Sequence, residues 1–338
     1  MLTLLPTPTP HPAGSLDVTA PTPDAACSAA EERAWLDVAF GPNALGAQYQ
    51  RVRELGRGGM GIVFLARDLQ LHRVVAIKLL RRELGASADD RARFRREARL
   101  MARLTHPAIV PIHAYGEHAL PDGECVSYFV MRYVDGESLA ERLRREGTLP
   151  PREVSRVLGE LALALDYAHA EGVVHRDLKP ENVLVERGAG GRPGGGRALL
   201  SDFGVAALAS YDPLPGEAGM SVGTPQYMSP EQLVGDHAID GRSDLYALGV
   251  LGYTLLMGRP PFTGRSLEEL SARHLLQRAP SLARLAPKTP AALVAAIERC
   301  LAKDPAKRWA RGSELHAALH RRLPAWPRWA DALRAAVI

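Results

Sequence analysis

The chain has 338 residues, 46% of them hydrophobic and 24% charged, with a formal net charge of +4. That is ordinary globular material, long enough for two packed lobes, and so small a positive excess argues against a dedicated nucleic-acid binder, which carries a basic face. Cys27, Cys125 and Cys300 are far apart and odd in number, which argues against a disulfide framework or zinc-ligand pairs and fits a reducing cytoplasm.

The N-terminus, "MLTLLPTPTPHPAGSLDVTAPTPDAAC", has neither the basic start nor the sustained apolar core of a signal peptide. Residues 1–48 are expected to form a flexible Pro/Thr-rich tail, with a short helix near "AAEERAWLDVAF". Its "PTPTPHP" and "APTPD" stretches read as solubilising chain, a polyproline ligand or Thr-Pro target sites. The sequence has no uncharged apolar run of roughly 18 residues, so no membrane span is expected.

From Tyr49 to Lys78, "YQRVRELG", "GIVFLARD" and "RVVAIKLL" read as strands, β-branched and apolar residues broken by glycines and short polar turns. "DDRARFRREARLMARL" then has helical spacing, with Phe94, Ala98, Met101 and Leu104 on one face. Its many arginines read as a solvated face. "IVPIHAYGEH" and "SYFVMRYV" are two more strands.

After Gly136 helices dominate: "SLAERLRRE", "PREVSRVLGELALALDYAHAEG", "RSDLYALGVLGYTLLMG" and "PAALVAAIERCLA", with Gly172 and Gly258 just past helix ends. The expected architecture is α+β and bilobal: a small β-rich lobe with one main helix (49–134), a crossing near Tyr133 to Asp135, and a larger helical lobe (135–323). A cleft between them is a natural ligand site. "ERGAGGRPGGGR", Glu186 to Arg197, reads as a surface hairpin or loop. The apolar end (324–338), with two tryptophans, reads as a docked helix, an interfacial contact or the approach to a downstream segment.

The chemistry concentrates between the lobes. Gly56, Gly58 and Gly61 make G-x-G-x-x-G, a spacing that dinucleotide sites share. A dinucleotide site continues into a helix. Here "IVFLARD" continues as a strand, which favours a hairpin flap whose bare backbone N–H groups approach phosphates. Lys78, in the apolar "VAIK", is costly to bury unpaired. Glu97 is its candidate partner, either as a structural ion pair or to hold a phosphate-gripping lysine. "VVHRDLKPENVLV" clusters Asp177, Lys179 and Asn182, and "LLSDFGVA" ends a strand on Asp202. Asn182 and Asp202 offer oxygen donors suited to Mg²⁺ shared with phosphates. Asp177 is left to receive a hydroxyl proton and Lys179 to neutralise the transferring group, which suffices for phosphoryl transfer. No H-E-x-x-H or Cys/His cluster points to a transition metal.

These stretches, with "GTPQYMSPE", "SDLYALG" and "KDPAKRW", resemble in order and spacing the bacterial branch of the eukaryotic-like protein Ser/Thr kinase family. The resemblance covers Tyr49 to about Leu323. It implies ATP and Mg²⁺ as cofactors, protein substrates, and a transferase of the kind used in signal transduction. It implies that Asp177 is the catalytic base, that Lys179 assists at the γ-phosphate, and that Asn182 and Asp202 hold Mg²⁺. Lys78, held by Glu97, would contact the α/β-phosphates. Leu55, Gly56, Arg57, Gly58, Gly59, Met60 and Gly61 would form the flap; Leu55, Val63, Ala76 and Leu184 would sandwich adenine. Met131 would stand at the back of the pocket, and Val134 would supply backbone hydrogen bonds. Glu231 and Arg308 would form a buried pair, and Asp244 would tie down the catalytic loop. Lys179 and Thr224 are the Ser/Thr features. "DLQLHR", around Leu71, resembles the segment through which relatives pair small lobes, implying a homodimer.

Three departures stand out. Ser229 replaces an expected alanine, and Arg132 an expected acidic residue. "SYDPLPGEAGM" lacks the usual activation-segment threonines, leaving Ser221 or Thr224 as the expected autophosphorylation sites, with Arg176 to receive the anion. A second reading is a pseudokinase, a nucleotide-binding scaffold; against it, Lys78, Glu97, Asp177, Asn182 and Asp202 are all present, and against a third, a small-molecule kinase, "GTPQYMSPE" shapes a peptide platform.

Overall fold

The computed structural model describes residues 34–59, 61–81, 88–119, 125–188, 195–203, 225–235 and 239–320. Five antiparallel strands build the small lobe: β1 (Tyr49–Gly58), β2 (Gly61–Asp68), β3 (Arg73–Leu80), β4 (Ile112–Ala119) and β5 (Cys125–Arg132), in the order β1-β2-β3-β5-β4. β3 is covered on both faces, so it reads as an unbroken apolar run rather than an alternation. Val75, Ile77 and Leu79 belong to a core on the outer face, whereas Ala76 and Leu80 join the core beneath the cleft.

The outer core brings a difference from the sequence reading. Residues 34–39 are helical (α1), and a short 3-10 turn follows at Leu45–Ala47. Trp35, Leu36, Ala39 and Leu45 are buried against β2, β3 and β5. The helix expected there exists, but residues 34–47 are packed rather than a flexible tail. The physical reason is that the sheet's outer face carries Ile62, Phe64, Val75, Ile77 and Val130, which need a cover.

α2 (Ala88–Met101) turns Phe94, Ala98 and Met101 inward, as its spacing predicts. The loop after it is sewn to the large lobe: Val110 N donates to Leu200 O at 2.8 Å, and Leu200 N to Ala108 O at 2.9 Å. The crossing runs from β5 into β6 (Gly136–Ser138), which pairs with β7 (Val183–Glu186), and β7 pairs in turn with β8 (Ala198–Leu200), in a second small sheet.

In the large lobe, α3 (Leu139–Glu146) starts on a capping box between Ser138 and Glu141. α4 (Pro151–Ala170) starts with proline at its first position. After the short α5 (Pro230–Leu233) comes α6 (Gly241–Met257), buried nearly all round as befits a central helix. It ends at Gly258 with φ 69°, a left-handed position where glycine carries no penalty. α7 (Leu267–Leu276), α8 (Leu282–Leu285), α9 (Ala291–Cys300) and α10 (Gly312–His320) pack around this axis. Among the described residues no helix is long and apolar enough to cross a membrane. The expected C-terminal segment 324–338 lies outside the described residues, as do Ser221 and Thr224.

Candidate active site

The glycine loop is the tip of the β1–β2 hairpin, with Gly58 opposite Gly61. Its glycines are not equivalent. Gly61 has φ 151°, and a Cβ there would sit 1.9 Å from Leu79 O, so the sheet itself demands glycine. A Cβ on Gly56, Gly58 or Gly59 would meet nothing within 4 Å. The fold does not require those three, which leaves close approach of a ligand as their use. Arg57 turns back to Glu54 through a two-pronged ion pair at 3.2 and 3.0 Å. Met60 is outside the described residues.

Behind the flap, β3 pairs Ala76 with Met131 and Lys78 with Phe129 on β5. Leu55, at an irregularity in the β1 register, packs half-buried against the cleft core together with Val63 and Leu184. Met131 and Val134 are buried at the crossing. A small recess behind Met131, lined by Met101, Ile112, Phe129 and Phe203, reaches Lys78 and Asp202.

Lys78 is nearly buried, and its Nζ lies 2.8 Å from Asp202 Oδ1. This corrects the expected pairing: Glu97 sits half-buried on α2, and among the described residues no ion pair joins it to Lys78. Asp202 has a left-handed backbone, φ 62°, at the end of its strand, and its carboxylate meets β3 there. A buried ammonium takes the carboxylate that reaches it. Burial pushes the Asp202 carboxyl up, but the Lys78 charge and hydrogen bond, helped by His175 and Lys179, outweigh it and hold the pKa below the ordinary value.

The large-lobe side is a loop held by one buried carboxylate. Asp244 accepts His175 N and Arg176 N, both at 2.8 Å, and His169 Nε2 at 2.7 Å. Burial raises its pKa, but these bonds and the two histidines bring it below the ordinary value. Arg176 is left-handed, φ 66°, and its carbonyl accepts Gln232 Nε2 at 2.8 Å. So restrained, the loop presents Asp177. Oδ2 accepts Lys179 Nζ at 2.7 Å and Asn182 Nδ2 at 3.1 Å. Asp177 Oδ1 has no partner among the described contacts. Asn182 Nδ2 also donates to Asp177 O at 2.8 Å, which leaves the amide oxygen for a cation. Ser201 N and Oγ both donate to Asn182 O, and His175 Nε2 lies 3.0 Å from Ser201 O. Asn182 and Asp202 are thereby held through one short segment.

Arg308 is buried and grips Glu231 at 2.6 and 2.8 Å, while donating to the carbonyls of Ala302, Arg242 and Lys303. Ser243 Oγ adds a bond to Glu231. Sequence reasoning assigns no role to His169, Gln232, Ser243 or Phe203, whose ring lies 4.6 Å from that of His175. For His169, Gln232 and Ser243 the available signal is a polar residue within a helix; Phe203 has none beyond its place beside Asp202. Arg132 was legible only as a departure: its guanidinium bonds Glu186 on β7, tying the end of β5 to the large lobe.

Residues 49–321 match the protein kinase domain family model. The chain is 44% identical over 283 residues to serine/threonine-protein kinase PknD of Mycobacterium tuberculosis, covering 83% of this chain and 40% of that protein. It is 39% identical over 282 residues to serine/threonine-protein kinase PknB of Mycolicibacterium smegmatis, covering 83% and 44%. The chain thus spans about two fifths of the length of these relatives. Among solved structures, the Mycobacterium tuberculosis PknI kinase domain superposes with a TM-score of 0.62 at 33% identity, over 81% of this chain and 95% of that one. With its two lobes, its hairpin flap and its Asp177 loop in place, the chain belongs to the protein kinase family, in the bacterial branch of eukaryotic-like serine/threonine kinases.

Proposed function

We propose that this domain transfers the γ-phosphoryl group of ATP to serine and threonine hydroxyls of proteins. The observation that carries the reading is the Asp177 carboxylate: one oxygen is fixed by Lys179 and Asn182, and the other is left for an incoming alcohol. In that role Oδ1 accepts the hydroxyl proton as the oxygen attacks, and the Lys179 ammonium faces the charge that develops. Lys78 would hold the non-transferred phosphates and the Gly56–Gly59 backbone would cover them. Leu55, Val63, Ala76 and Leu184 would enclose adenine, with Met131 behind it and the Val134 backbone at its edge.

The residues fit a divalent cation. Asp202 is kept ionised and Asn182 is turned by its amide nitrogen, giving two oxygen donors, which suits an ion that shares its shell with phosphates. Mg²⁺ bound there would neutralise phosphate charge and hold the leaving group in line. The Ser/Thr preference rests on Lys179 and on the two named relatives.

We assign the reaction to the cytoplasm, where ATP is supplied, a reading with which the unpaired thiols of Cys125 and Cys300 agree. A small-lobe homodimer belongs to the same reading, supported by Leu69 and Leu71, which stand exposed on the β2–β3 turn. Autophosphorylation at Ser221 or Thr224 is part of it too, and phosphosite mapping of protein incubated with ATP tests it; label confined to residues 1–48 would remove it. The transfer itself is tested with radiolabelled ATP and a generic basic protein, intact chain beside Asp202→Ala. Incorporation only by the intact chain supports the kinase, whereas equal label in both would favour a nucleotide-binding scaffold.

A further inference from the structure

We infer that residues 34–47 are a positioning element of the catalytic small lobe, a cap that sets β2 and β3 from behind, although they lie before the matched family domain, which starts at residue 49. The inference rests on the kinase reading above.

The argument starts from strand alternation. Residues that alternate along one strand face opposite sides of a sheet. On β3, Ala76 and Lys78 face the cleft while Val75, Ile77 and Leu79 face outward. On β2, Val63 packs toward the cleft while Ile62 and Phe64 face outward. The two strands that carry the flap and the phosphate-gripping lysine therefore rest, on their other side, on the 34–47 segment. Uncovered, that face would be a contiguous apolar patch of the kind single domains do not leave open.

The segment is fastened at three levels. Trp35, Leu36, Ala39 and Leu45 are buried in the outer core. Phe40 meets Phe64 edge-on, ring centroids 5.3 Å apart, and the Arg51 guanidinium lies 5.4 and 5.7 Å from those two rings while bonding Asp37 at 3.1 Å. Beyond the turn, Leu69 N donates to Gln48 O at 2.9 Å, tying the segment's exit to the β2–β3 connection. Gly46 makes the turn: a Cβ there would lie 2.2 Å from Phe40 O and 2.6 Å from Gly41 O, both backbone atoms that cannot swing away.

A side chain at Gly46 would thus push the cap off without touching the cleft. The test is steady-state kinetics on the full chain, well below its melting temperature, with active sites counted by nucleotide titration. Gly46→Ala and Phe40→Leu are compared with Phe40→Tyr, which keeps the ring. A small displacement of a gripping group is costly in an oriented site, so KM for ATP should rise roughly five- to tenfold in Gly46→Ala and Phe40→Leu, with kcat less affected. Phe40→Tyr should stay near the intact chain. A chain starting at residue 49 should show the same defect, and a peptide of residues 31–48 added in trans should repair it. If the short chain does not fold, the point variants decide alone. Variants that melt earlier but keep the intact KM for ATP per active site would overturn the proposal, leaving the cap a stabilising cover only. ATP affinity is also read directly by the melting shift with nucleotide. A failure of phosphoryl transfer in the intact chain is therefore told apart from a failure of the cap.

Discussion

Lys78 Nζ stands 2.8 Å from Asp202 Oδ1, a nearly buried ammonium from one lobe and a partly buried carboxylate from the other, and their ion pair closes the cleft from the inside. It ties β3 to the segment that also fixes Asn182 through Ser201. The Lys78 charge and hydrogen bond hold the Asp202 carboxyl below its ordinary pKa.

Replacing Lys78 by Met removes the cation that holds Asp202 ionised, and its pKa moves up toward what burial dictates. Transfer should fall by at least about 100-fold, a loss of positioned charge typical of such groups. The pH–rate profile of the remainder should shift its acid limb upward. A residual profile unchanged in shape would show that Lys78 does not tune Asp202.

Arg308 and Glu231 form a buried pair in the large lobe, with arginine side-chain exposure of 0%. Arg308→Met leaves Glu231 without its charged partner and removes a donor from three carbonyls, and losing one partner of a buried pair costs about 3–5 kcal/mol. Arg308→Lys should recover little, because an ammonium cannot reproduce the forked geometry. Chemical unfolding measures the loss; per folded molecule, KM for ATP should not change.

His274 supplies the first acid-sensitive step. It is fully buried on α7, its Nδ1 lies 3.0 Å from Tyr246 Oη, the Phe262 ring packs edge-on, and Lys303 donates to its carbonyl. Burial, then the Lys303 charge, lowers its pKa from 6.5 to about 4. The unfolded chain therefore takes up the proton first. Stability from this group is present above pH 6.5 and falls as pH drops toward about 4, by on the order of 3 kcal/mol. His106 and His113, also lowered by burial, add in the same direction. The carboxylates of Asp202, Asp244 and Glu231 are held below their ordinary values, so the stability that they contribute is also lost as pH falls. Urea midpoints across pH should show the slope, and His274→Gln, which keeps a hydrogen bond to Tyr246 but does not titrate, should flatten it.

The Arg132–Glu186 pair across the crossing is partly exposed, 46% and 24%. Solvent screens it, so Arg132→Ala should cost only about 0–1 kcal/mol. The exchanged double variant Arg132→Glu with Glu186→Arg should recover that loss. A larger effect on KM for ATP than on stability would mean that the pair governs lobe closure.

The strands and helices were legible because their signals are local. β3 announces itself as a buried apolar run, and α2 by Phe94, Ala98 and Met101 at helical spacing. The grouping of Asp177, Lys179 and Asn182 was legible because the three stand within six residues of one loop, where the structure bonds them to one another. What sequence did not convey is long-range partnership. The choice of Asp202 over Glu97 by Lys78 depends on where α2 lies relative to β3, which no local pattern encodes. The burial of Trp35 and Leu36 was hidden by the Pro/Thr-rich chain before them, and it depends on an apolar face that runs from Ile62 to Val130. The hold of Asp244 on the Asp177 loop likewise joins backbone groups some 70 residues distant.

The most direct measurement of the central claim is phosphoamino-acid analysis of a basic protein incubated with radiolabelled ATP and either the intact chain or Asp177→Asn. The account predicts phosphoserine and phosphothreonine from the intact chain, and a rate about 1,000-fold or more lower from the variant, in which the amide can no longer accept the hydroxyl proton. Equal labelling by the two proteins, or label found on tyrosine alone, would contradict it.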